Sequence, residues 1–213
     1  MKTDDLVTLL ATGDIAIQPH TAAKRFALAL GLGVGVAFLM MLGLLGLRPD
    51  FSEAIKLPMF WVKLGYAASL AAAALLALVR LSHPGSRLKK APLGMALPIV
   101  LMWLLALYTL VDADSAQRHE LLYGASWGAC PLLITMLSAP IFLSTLWAVR
   151  GLAPTRLTQA GAAVGLLSGA LGAVVYSLHC PEMGAPFIGT WYLLGMLIPT
   201  LIGATLGRSL LRW

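Results

Sequence analysis

Six apolar runs, each about twenty residues long, leave this chain few ways to fold. They fall at about 26–47, 58–79, 93–111, 130–149, 158–177 and 188–207, and the charged residues gather in the short segments between them. At about 1.5 Å rise per residue, a helical run of that length crosses a hydrocarbon core of about 30 Å. Composition agrees: 59% of the 213 residues are hydrophobic and 11% are charged, where a soluble domain carries about 25% charged residues. The mean hydropathy is +0.86. The sequence predicts an all-α fold, a polytopic membrane protein of six transmembrane helices.

In such a chain the net charge of +6 is not a nucleic-acid signal, because basic residues of membrane proteins collect in cytoplasmic loops. Counting on alternate sides, one side holds Lys2, Lys24, Arg25, Arg80, Arg87, Lys89, Lys90, Arg150, Arg156, Arg208 and Arg212, eleven in all. The other holds Arg48, Lys56, Lys63 and Arg118, four in all. The loops are short, so the positive-inside rule applies and places both termini in the cytoplasm. Residues 1–25 then form a cytoplasmic tail and residues 26–213 a six-helix transmembrane domain. The 112–129 and 178–187 loops face outward, into the periplasm if the membrane is a bacterial inner membrane.

The tail carries a short helical pattern. Thr3 suits an N-cap, Asp4 and Asp5 suit the positive end of a helix, and Gly13 suits its stop. Leu6, Leu9 and Leu10 fall at i, i+3 and i+4 and make one apolar face. So short a helix is marginal alone in water. It is either a frayed lead-in to the membrane or a peptide that folds when its leucine face enters a partner's groove. The first run is too long for the apolar core of a cleaved signal peptide. Gly31, Gly33 and Gly35 lack the strand–turn–helix context of a nucleotide fingerprint and read as helix packing. Pro98, Pro140 and Pro199 fall inside three spans. Gly161, Gly165 and Gly169 give the fifth span a repeated small-residue stripe that lets backbones approach closely.

The chain has two cysteines, Cys130 and Cys180, each followed by proline and each at the edge of an apolar run. Topology puts both on the outer side, where thiols can be oxidised. The plain reading makes them unrelated small apolar residues near helix ends. Against it, both copies fall on one face, and His179 and Glu182 bring an imidazole and a carboxylate to Cys180. Cys130, Cys180 and His179 are a soft ligand set suited to zinc, cadmium or similar ions; the two thiols could instead pair as a disulfide if their Cα atoms lie within about 7 Å. No span carries a carboxylate pair, and Lys63 lies near enough to its helix end to snorkel, which weighs against ion-coupled transport.

These residues resemble the NrsF-like integral-membrane anti-sigma factors, negative regulators of a sigma-F-type extracytoplasmic-function (ECF) sigma factor. The resemblance covers essentially the whole chain. It runs through the Thr3-Asp4-Asp5-Leu6-Val7 start, the Gly46-Leu47-Arg48-Pro49-Asp50 exit from the first span, Cys130-Pro131, and His179-Cys180-Pro181-Glu182 followed by Phe187 and Trp191-Tyr192. It implies a protein without enzymatic activity or resident cofactor that contacts lipid and an ECF sigma factor but no nucleic acid. The tail, through Asp4, Asp5, Leu6, Leu9 and Leu10, would hold the sigma factor. Cys130 and Cys180, with lesser roles for His179 and Glu182, would sense heavy-metal or oxidative stress, a soft metal ion binding transiently if at all. The sequence leaves open whether two copies pair as a homodimer. A membrane thiol oxidoreductase is the first rival, weakened by the absence of a Cys-x-x-Cys or second cysteine pair; a small metal permease is the second.

Overall fold

The computed structural model describes residues 3–12, 21–82, 91–152 and 154–212. All the regular structure among the described residues is helical, with no strand among them. In order they form α1 (Thr3–Thr12), α2 (Thr21–Met40, continued by a π-helical stretch, Met41–Leu45), α3 (Phe51–Ala54) and α4 (Pro58–Leu81). After these come α5 (Ala91–Asp112), α6 (Ser115–Tyr123), α7 (Cys130–Arg150), α8 (Leu157–Tyr176) and α9 (Ala185–Phe187). A second π-helical stretch, Ile188–Tyr192, leads from α9 into α10 (Leu193–Leu210). Six helices are long and apolar enough to cross a membrane: Ala23–Leu45, Pro58–Leu81, Pro92–Asp112, Cys130–Arg150, Leu157–Tyr176 and Ala185–Leu210.

The boundaries depart from the apolar runs where side chains find partners. The first helix already includes Lys24 and Arg25 because Arg25 has somewhere to go. Its guanidinium lies 4.4 Å from the centre of the Trp147 ring and donates to the Trp147 carbonyl at 3.0 Å, an attraction expected of a cation over an aromatic face. The 112–129 segment, read as a loop, contains α6. That helix follows Asp114 in extended conformation and is ended by Gly124 at φ +54°, a left-handed position that suits glycine. Its sequence has no apolar period to announce it. In α1, Asp4 and Asp5 occupy the first turn. Gly13 and the side chains of Leu6, Leu9 and Leu10 lie outside the described residues.

The bundle is built around α8, against which α10, α7 and α4 pack. The glycine stripe explains why α8 can be central. Gly161 faces Gly203 and Gly207 of α10, and a Cβ on Gly165 would stand 2.6 Å from Thr200 Cα. On Gly169 it would stand 2.9 Å from Met196 Cα, and on Gly172 3.0 Å from the Ile134 carbonyl of α7. The pairs run in opposite order, so α8 and α10 are antiparallel. Close backbone approach of this kind is how helices associate where lipid is as apolar as the side chains. The first helix is peripheral: 22% of its apolar stretch is buried, against 67% in α8. It lies along α7, touching at Gly33, where a Cβ would stand 2.8 Å from Ile141 Cα.

Gly165→Leu should therefore destabilise the bundle by the roughly 1–3 kcal/mol of overpacking, or more, read as a lower thermal midpoint in detergent. Gly35→Leu, on a glycine with no neighbour within 4 Å, should leave that midpoint unchanged.

Candidate functional site

Between α8 and α9 the chain crosses one end of the bundle as a non-helical strap, residues 177–184. Helix termini and irregular backbone leave carbonyls without intrahelical donors, and in an apolar setting each needs another partner. The strap carbonyls find these partners on two other segments. The Leu178 carbonyl accepts from the Arg48 backbone N–H at 3.3 Å. The Cys180 carbonyl accepts from Lys63 Nζ at 2.9 Å and from Arg48 Nη1 at 3.4 Å. The Glu182 carbonyl accepts from the same Lys63 Nζ at 3.1 Å.

Two side chains of the strap reach outward to complete the attachment. His179 Nδ1 lies 2.9 Å from the Gly46 carbonyl, a contact that requires the ring proton on Nδ1. The Glu182 carboxylate accepts from the Ala125 backbone N–H at 2.8 Å and from the Ser126 hydroxyl at 3.3 Å. Gly46 (φ +76°) and Gly124 (φ +54°) are the positive-φ glycines of the described residues. Each stands at one of these anchor points. At Gly124 space matters as well as φ, because a Cβ would come within 2.6 Å of the Glu182 carboxylate.

Arg48 is buried, yet its fork closes on an exposed partner. Nε and Nη2 donate to the two carboxylate oxygens of Asp50 at 2.8 and 2.7 Å, and the side chains are 4% and 56% exposed. The hydrogen bonds from Arg48 hold the Asp50 carboxyl below the usual carboxylate range. In return Asp50 raises the guanidinium above its ordinary value.

Cys130 and Cys180 are both free and fully buried beneath the strap. Cys130 opens α7, its backbone N–H bonded to the Ser126 carbonyl at 2.9 Å. Fifty positions separate the cysteines in sequence, but both lie with the Tyr176 side chain in one buried cluster. Tyr192 closes the cluster, its ring 5.8 Å from that of Tyr176 and its hydroxyl against Cys180 and Ser177 without a well-formed hydrogen bond.

The structure thus brings the two cysteines together and turns their neighbours elsewhere: His179 bonds Gly46 and Glu182 bonds the turn after Gly124. Among the described residues no three His, Cys, Asp or Glu side chains are grouped to hold a metal ion. Asp4 and Asp5 are exposed on α1. One expectation is overturned. Lys63 does not snorkel; it is 0% exposed, its ammonium on the Cys180 and Glu182 carbonyls and 5.8 Å from the centre of the Tyr192 ring. Nothing in the local sequence marks it, since the carbonyls that hold it lie more than a hundred positions away. Tyr176 carried no signal in the sequence, and Gly46 and Tyr192 entered only through the family motif, without a place at the site. Tyr176 is four residues before Cys180, but its reach to Cys130 is tertiary.

Residues 10–213 match the family described as negative regulator of sigma F, NrsF. The chain belongs to this family. Two curated NrsF relatives match over the full length of both chains. A probable anti-sigma-F factor from Azospira oryzae is 53% identical over 213 residues, and an anti-sigma-F factor from Caulobacter vibrioides is 42% identical over 214. No solved structure matches.

In this NrsF-family fold the strap's stability should depend on Lys63. Lys63→Met leaves carbonyls short of a donor, at about 1–3 kcal/mol per unsatisfied group. The thermal midpoint should fall clearly, whereas Lys56→Met, which removes an exposed ion pair with Glu53, should cost about 0–1 kcal/mol.

Proposed function

We propose that this chain is an anti-sigma factor that holds an ECF sigma factor at the bacterial inner membrane through its N-terminal tail. Heavy-metal or oxidative stress, sensed at Cys130 and Cys180 on the periplasmic side, releases it. The observation that carries the sensor part is the shared burial of the two cysteines against one tyrosine, at the bundle end bearing the four basic residues rather than the eleven. The partner follows from the family and from relatives whose names describe anti-sigma-F factors.

Two free thiols buried in one cluster support an oxidative signal. With a two-electron oxidant of the peroxide class, two S–H bonds break and one S–S bond forms, and the peroxide leaves as two waters. The residues fit a preformed three-ligand metal site less well, since His179 and Glu182 are engaged with backbone; a soft ion would have only the two thiols ready. On either signal, the thiols are the reacting groups and the tail is the output. No catalytic turnover is needed.

Cys130→Ser, Cys180→Ser and the double variant should lose the stress response equally, because groups acting as one unit are non-additive. Serine removes the group that oxidises or binds metal while leaving the tail intact, so target genes should stay repressed in all three. A single variant that responds normally to every stress would separate the cysteines and end the shared-sensor reading.

The tail is tested separately. Leu6→Asp or Leu9→Asp puts a charge where an apolar groove should receive leucine, at a cost of several kcal/mol for an unpaired buried group. Target genes should switch on without stress while the protein remains in the membrane. Full repression by both variants would remove the tail from the interface.

A further inference from the structure

We propose that Arg48 and His179 form a latch that ties the sensing strap to the first transmembrane helix, so that opening the strap frees that helix and the tail it carries. The proposal rests on the reading of Cys130 and Cys180 as the sensor, and supplies the route by which their chemistry crosses the membrane. Three contacts make the latch. His179 Nδ1 donates to the Gly46 carbonyl at 2.9 Å, the Arg48 backbone N–H donates to Leu178 at 3.3 Å, and Arg48 Nη1 donates to the Cys180 carbonyl at 3.4 Å. All join residues 178–180 to the segment that ends the first helix.

Two features make this junction a coupling device rather than one more loop contact. The first is the position of Cys180. Its carbonyl belongs to the latch, while its thiol is buried with Cys130 against Tyr176. Both thiols are free, and a disulfide would draw the Cys180 sulfur to about 2.05 Å from that of Cys130. In close-packed surroundings that displacement pulls on the backbone that Arg48 holds.

The second is the peripheral place of the helix being held. With 22% of its apolar stretch buried, α2 leans on α7, with a close approach at Gly33 and a clamp at its far end, Arg25 on Trp147. The strap supplies the attachment at the near end. Releasing that end changes the restraint on the helix that begins directly after the tail. A signal can move a two-state element only by interacting differently with its two states, and here the same residue carries the reacting group and part of the restraint.

The test uses the full-length protein in its host membrane and reads target transcripts, membrane abundance and thiol labelling together. Arg48→Gln should raise unstressed expression about tenfold, equivalent to about 1.4 kcal/mol, at wild-type abundance and with both cysteines still unoxidised. That rise should persist in the Cys130→Ser, Cys180→Ser background, since the latch acts after the thiols. His179→Phe, which keeps a ring against Tyr176 but removes the Nδ1 donor, should give a smaller rise in the same direction. Lys56→Gln, on the same segment but outside the latch, should do nothing. Normal repression and response by an abundant Arg48→Gln protein would overturn the latch, as would derepression abolished by the cysteine substitutions. If Arg48→Gln does not accumulate, His179→Phe decides, and full repression by it also overturns the proposal. Failure of the sensor reading looks different: cysteine variants would respond normally while the Arg48 and His179 variants remained derepressed.

Discussion

A peptide carbonyl left over where a helix ends inside an apolar bundle has to find a donor, and the strap between α8 and α9 is arranged around that need. The Tyr176 carbonyl receives the N–H groups of His179 and Cys180 at 3.0 Å each. The Leu178 carbonyl receives the Arg48 N–H, and the Cys180 and Glu182 carbonyls share the Lys63 ammonium. Burying an ammonium without partners is far costlier than leaving an amide unpaired, so Lys63 can sit there only with these carbonyls on it. Lys63 and the strap therefore depend on each other: the carbonyls permit the buried charge, and the charge draws the carbonyls inward over the cysteines.

That arrangement needs a rigid base, which the glycines of α8 provide. With backbones of α8 and α10 in near contact along Gly161, Gly165 and Gly169, the ends of both helices are set relative to α7 and α4. Tyr176 at the end of α8, Cys130 at the start of α7, Lys63 near the start of α4 and Tyr192 just before α10 then arrive at one place. None of these residues is near another in sequence. The peripheral helices, α2 and α5, take little part in this core, and the strap and α9 reach them from its edge.

The six long apolar helices were legible because hydrophobic run length is a one-dimensional property; α6, without such a run, was not. The Gly161–Gly165–Gly169 stripe was legible for the same reason, since its period matches one helix face; the identity of its partner, α10, was not. At the site, the two Cys-Pro steps and the His179–Glu182 stretch drew attention correctly to the strap. What the strap holds onto was invisible. Lys63 looks like a snorkelling lysine by position, because its neighbours on α4 give no sign of carbonyls folding over it from residues 180 and 182. His179 and Glu182 looked like companions of Cys180 because adjacency in sequence suggests a shared target. In an irregular strap, however, successive side chains leave in different directions, and these two bind Gly46 and the turn after Gly124. Gly46 itself shows only as a glycine near a helix end, and its φ of +76° emerges from the chain reversal toward Arg48.

The energies set a condition on how such a strap could switch. Moving a two-state element from about 1:99 to 99:1 takes about 5.5 kcal/mol of differential interaction. Two latch contacts are ordinary hydrogen bonds, at about 0.5–1.5 kcal/mol net each, and the third has the Arg48 guanidinium as donor, at about 1.5–3 kcal/mol; together they amount to roughly 2.5–6 kcal/mol and fall short over most of that range. The two bonds from Lys63 also involve a charged donor, and with them the total is roughly 5.5–12 kcal/mol and reaches the threshold. On the proposed mechanism a full transition therefore cannot be a local parting of Arg48 from Cys180. The strap has to leave Lys63 as well, moving as one piece between its anchors. A buried ammonium abandoned by its carbonyls would need water or a new acceptor at once, so opening must either hydrate the cysteine cluster or present it with an anion. A thiolate or sulfenate at Cys180 would be such an anion, whereas a neutral disulfide would leave the ammonium to water, so only the anionic products would themselves hold the strap open.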